Sequence, residues 1–120
     1  PHAEIRQLLG ISAASKQNPD PKIISTRLIM SLINEAVRCL DEGVAGAPSV
    51  EAANQIDLGT VMGFGFPPFR GGVLFYAESL GAKAVHETLQ KLAKEHGPRF
   101  EPCSGIAERA KTGRSLRAAI

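Results

Sequence analysis

Ile29-Met30-Ser31-Leu32-Ile33-Asn34-Glu35-Ala36-Val37-Arg38-Cys39-Leu40-Asp41-Glu42-Gly43 is the stretch whose pattern decides the architecture. Ile29, Leu32, Ile33, Ala36, Val37 and Leu40 recur at i, i+3, i+4, i+7, i+8 and i+11, the stripe of an amphipathic helix. Arg27, Arg38, Asp41 and Glu42 fall largely off that stripe, and Gly43 supplies a stop. The signal reaches back to Lys22, so a helix is expected over residues 22–42. Asn34 and Glu35 lie beside buried positions and need partners, because an unsatisfied buried polar group costs roughly 1–3 kcal/mol. Both are read as a structural brace, to a loop backbone or to Arg27, ahead of a reading as substrate contacts.

Towards the N-terminus, residues 3–9 can form a short helix with Ile5, Leu8 and Leu9 on one side. Ser12 to Pro21 is polar, with Asn18-Pro19-Asp20-Pro21 at its end, and reads as a linker. Towards the C-terminus, Ser49 is a plausible N-cap for a helix over 50–63, with a break near Asn54. Val73 to Leu80 makes a short helix stopped by Gly81, and residues 82–96 make another, with Val85, Leu89, Leu92 and Ala93 inward and Gly97-Pro98 as terminator. Ser104 can cap a last helix to about Lys111. No stretch alternates with period two, so the expectation is an all-α domain of about five helices: a lead-in over 1–21, the domain over 22–112 and a tail over 113–120. Arg109, Lys111, Arg114 and Arg117 read as a solvated helix end with a frayed terminus.

Between the second and third of these long segments stands Gly63-Phe64-Gly65-Phe66-Pro67-Pro68-Phe69-Arg70-Gly71-Gly72, with four glycines and three of the chain's five phenylalanines. Glycine permits positive φ and close backbone approach, while Pro67-Pro68 stiffens the path between the rings. Three rings on so stiff a loop cannot all enter one small helical core, so at least one is expected to face a neighbour.

The 120 residues suffice for one core, and 43% apolar with 22% charged residues is ordinary for a globular domain. A net charge of +2 without a basic stripe argues against nucleic acid, and no apolar run approaches the ~20 residues of a membrane span. Cys39 and Cys103 have no metal or redox spacing and read as reduced thiols of a cytoplasmic protein. The chain opens at Pro1 without methionine or signal pattern, which reads as a piece of a longer protein. Chemistry is hard to find. In Gly63-x-Gly65-x-x-Pro68 the third glycine of the dinucleotide fingerprint is missing, and the motif follows a helix where a strand is required. His86 reads as a surface residue and His96 as a donor at a helix end. No metal-ligand spacing occurs.

Taken together, Ile33 to Val44, Ile56-Asp57-Leu58-Gly59, Gly63 to Gly72, Ser79-Leu80-Gly81 and Arg99-Phe100-Glu101-Pro102-Cys103 resemble the C-terminal domain of 3-hydroxyacyl-CoA dehydrogenase. The resemblance covers about residues 22–112 and is greatest to the second, last copy of that domain in multifunctional enzymes of fatty acid β-oxidation. It implies an all-α domain beside a Rossmann domain, in a parent that hydrates 2-enoyl-CoA and oxidises 3-hydroxyacyl-CoA with NAD. The catalytic His–Glu pair and the NAD site of such a parent lie outside this chain. The family's catalytic copy carries an asparagine before an arginine at the start of its first long helix. Here Arg27 matches the arginine but Thr26 precedes it, which suits a non-catalytic copy. Thr26, Arg27 and Asn34 are therefore the only substrate-contact candidates. Because stand-alone members use this domain as a dimer interface, Glu35, Phe64, Phe66, Phe69 and Arg70 are assigned structural or interface roles. The partners implied are the preceding Rossmann and helical domains, acyl-CoA bound by the parent, and a second copy when the domain is isolated.

Overall fold

Asp20 opens the longest element: its side chain accepts the Lys22 amide at 2.9 Å, and Pro21 stands at a first-turn position where no N–H is needed. A computed structural model describes residues 3–10 and 20–119, without the side chain of Arg6. The expected linker falls almost wholly outside the described residues. Six helices follow in order: α1 (Ala3–Leu8), α2 (Pro21–Asp41), α3 (Val50–Phe64), α4 (Val73–Leu80), α5 (Ala82–His96) and α6 (Ser104–Thr112). Single 3₁₀ turns at Pro68–Arg70 and Pro98–Phe100 join them, and no strand occurs among the described residues. The all-α expectation holds.

The α2 stripe is the spine of the core. Ile33, Val37 and Leu40 are fully buried, with Met30 and Ala36 nearly so, whereas Leu32 is turned outward. Against them lie Ala52 and Ala53 of α3, Val73, Leu74 and Ala77 of α4, Val85, Leu89 and Leu92 of α5, and Ile106 of α6. Phe66, Phe100 and Leu116 belong to the same core. Ser49 caps α3 as expected, accepting the Ala52 amide at 3.1 Å. The break foreseen near Asn54 is absent: α3 runs unbroken to Phe64. The cap of α6 is Cys103, with Ser104 its first helical residue.

The reading of the basic C-terminus is corrected. Arg109 is completely buried, and its guanidinium reaches Asp41 of α2 at 2.6 and 2.9 Å and the carbonyls of Gly105, Ser115 and Ala118. Leu116 is buried as well, and its amide donates to Glu78 of α4 at 2.7 Å. The tail is thus strapped across α2, α4 and α6. Periodicity could not show this, because Arg109 is one charge within a charged helix and its acidic partner is 68 positions away.

Candidate functional site

Where α3 ends, the chain must turn sharply to lay α4 on α2, and the glycine/phenylalanine loop makes that turn. Gly65 adopts φ 75°, ψ 31° as the left-handed cap, and the Phe66 amide reaches back to the Thr60 carbonyl at 3.0 Å. Phe66 is thereby driven into the core, 6.2 Å from the Tyr76 ring. Phe64 and Phe69 stay outside, Phe69 with 83% of its surface exposed. With Ile29, Leu32 and Tyr76 they line an open apolar groove of about 360 Å³. Arg70 forms one wall, its guanidinium 4.8 Å from the Tyr76 ring and 5.8 Å from Phe69. Among the described residues Arg70 joins no ion pair.

A residue to which the sequence reading gave no role sets the geometry behind this loop. Asp57 is buried, accepts the Leu74 amide at 2.6 Å and the Phe75 amide at 3.2 Å, and stands 3.4 Å from Arg117. It is the anion at the N-terminus of α4, where Gly72 has no side chain to serve. Burial pushes its carboxyl above the ordinary value, outweighing the two amides and Arg117, which pull it down. Gly72 has φ 108°, and a Cβ there would overlap the Asp57 side chain. The Arg117 guanidinium also bonds Asn54 and lies 5.1 Å above the Phe75 ring, so the tail closes over the same point. The available signal was Asp57 falling at a buried helical position four residues after Ala53.

The three substrate-contact candidates do not meet. Thr26 is exposed in a cleft between α2 and α5, with Lys22, Thr88, Lys91 and His96. Arg27, one residue on and about 100° round the helix, lies 5.8 Å above the Phe100 ring. Asn34 is buried and fully engaged: its Nδ2 donates to the Glu101 carbonyl and its Oδ1 accepts the Cys103 amide, both at 2.8 Å. Asn34 is the brace, and it ties α2 to the segment between the second 3₁₀ turn and α6. Glu35 is not part of it. That carboxylate is exposed and pairs at 3.1 Å with Arg38 on its own helix, as its position one residue round from the stripe permits.

Burial pushes both the Cys39 and Cys103 thiols up, so neither is primed as a thiolate. Among the described residues no group of three His, Cys, Asp or Glu could hold a metal, and no helix is long and apolar enough to cross a membrane. The Gly63-x-Gly65 pair does not fit NAD either. It lies at the carboxyl end of α3, where carbonyls face outward, while a pyrophosphate needs the amide end of a helix.

An α2 spine wrapped by four helices, with an outward aromatic groove and a strapped tail, defines an all-α domain. Residues 23–119 match the family described as "3-hydroxyacyl-CoA dehydrogenase, C-terminal domain", and the chain belongs to that family. It is similar to proteins named fatty acid oxidation complex subunit alpha. One from Shewanella loihica is 42% identical over 106 residues, covering 88% of this chain and 14% of the relative. One from Vibrio cholerae is 39% identical over 109 residues, covering 91% and 14%, and one from Vibrio campbellii 36% over 112 residues, covering 93% and 15%. The chain thus spans about one seventh of the length of these relatives.

Proposed function

We propose that this chain is the terminal helical domain of a multifunctional fatty acid β-oxidation subunit, an enoyl-CoA hydratase and NAD-dependent 3-hydroxyacyl-CoA dehydrogenase, and that its role is packing. In this reading it fills, within one chain, the surface that a second subunit would cover, against the preceding Rossmann and helical domains. The parent is a cytoplasmic oxidoreductase, and NAD and the acyl-CoA thioester are held by other parts of it. The observation that carries the reading is the pair of outward rings Phe64 and Phe69, held by a turn that commits only Phe66 to the core. A ring exposed to this degree beside an apolar groove is costly in water and favourable under a partner. Support also comes from Thr26, Arg27 and Asn34, which face different directions and cannot together hold a substrate.

The test is an NADH absorbance assay of the purified chain with 3-hydroxybutyryl-CoA and NAD, paired with calorimetric titration of the same acyl-CoA. The reading expects no turnover and no saturable binding. Saturable binding abolished by Thr26→Val or Arg27→Ala would favour the alternative, in which this domain contributes acyl-CoA contacts as half of a catalytic site.

A further inference from the structure

Helix α2 carries a second apolar row on the side away from the core. Ile24, Leu28 and Leu32 follow at i, i+4 and i+8, within about 80° of one another around the helix and opposite Ile33 and Val37. All three are exposed, Leu28 at 63%, and packing of α2 on its neighbours asks nothing of them. Alongside the row, Arg27 and Arg99 border a cleft of about 220 Å³ with Ile24, Leu28 and Phe100. Among the described residues neither arginine has a carboxylate partner.

Helix α1 presents the matching half. Ile5, Leu8 and Leu9 lie at i, i+3 and i+4, and all are exposed, Leu8 at 87%. Glu4 stands in its first turn. A helix of six residues does not hold in water by itself, because the cost of nucleation is not recovered over so few hydrogen bonds. It needs a surface for its apolar side. The chain from Gly10 to Asp20 can stretch to about 33 Å, whereas the row from Ile24 to Leu32 is only about 12 Å long. An antiparallel return sets Leu9 near Ile24 and Ile5 near Leu28, with Glu4 about 3 Å along the axis from Arg27, within reach of its long side chain.

We propose that α1 docks antiparallel on the Ile24–Leu28 row of its own chain, with Glu4 facing Arg27 and Arg99, so that the two bare faces form one interface. The occupant is this chain's own helix because the apolar spacing matches, Glu4 offers the two arginines a carboxylate, and the connection reaches. The contact leaves Phe64 and Phe69 uncovered, so it is independent of the function proposed above. The experiment is methyl NMR on the full 120-residue chain, in uniformly labelled and in mixed labelled/unlabelled samples, with amide exchange. The proposal expects contacts from Ile5, Leu8 or Leu9 to Ile24 and Leu28 within a single chain. It also expects slowing of the Leu8–Gly10 amides by about tenfold over an unstructured peptide. Leu28→Asp should abolish that slowing while core methyl shifts stay in place, since Leu28 is outside the core. Contacts seen only between differently labelled chains would overturn the proposal in favour of exchange between copies. Amides exchanging at unstructured rates, without contacts, would overturn it outright.

Discussion

Asn34 holds two main-chain groups, from the Glu101 carbonyl and the Cys103 amide, that have no other partner in view. Asn34→Ala should therefore cost about 2 kcal/mol in urea unfolding, because both groups are left buried or rearranged. Glu35→Ala should stay within about 0.5 kcal/mol of the parent, since a surface pair with Arg38 contributes little. Adjacent polar letters beside a stripe showed that a brace was needed, but not which one turns inward. That depends on the α6 approach, which only tertiary packing supplies. Asp57 makes a pH-dependent prediction. Its folded pKa is raised, so its contribution is fully present below the unfolded value of about 4 and is lost as pH rises through the folded value. The stability of the unsubstituted chain relative to Asp57→Asn should fall as pH rises above about 4. A difference that grew with pH would show that Arg117 and the two amides outweigh burial.

At the scale of elements, the glycine/phenylalanine turn and the buried Arg109 strap are what set helix against helix. Gly72→Ala places a Cβ on Asp57 at a φ of 108° and should lower stability by about 2 kcal/mol or more, read as a drop in the urea midpoint. Arg109→Met removes the partner of Asp41 and of three carbonyls, and should cost about 3 kcal/mol, with the tail released. Helix positions were legible in the sequence because stripe, cap and stop agreed: Ser49 opens α3, and Gly81 and Gly97 bound α5. The strap was not legible. A buried arginine looks like any other cation until its distant acidic partner is placed beside it.

For the whole molecule, the ridge Leu32–Phe64–Phe69 beside Arg70 is an exposed apolar surface around an open groove. It was foreseeable in outline, since two prolines between three rings forbid a common direction, and in the structure Phe66 alone turns inward. The central claim is that this domain works by covering a neighbour. The most direct measurement is sedimentation equilibrium on the 120-residue chain, with and without the pair Phe64→Ser and Phe69→Ser. The account predicts a concentration-dependent two-fold dimer for the parent and a folded monomer, unchanged in circular dichroism, for the double variant. A parent that stays monomeric at every concentration, or a dimer indifferent to both rings, would contradict it.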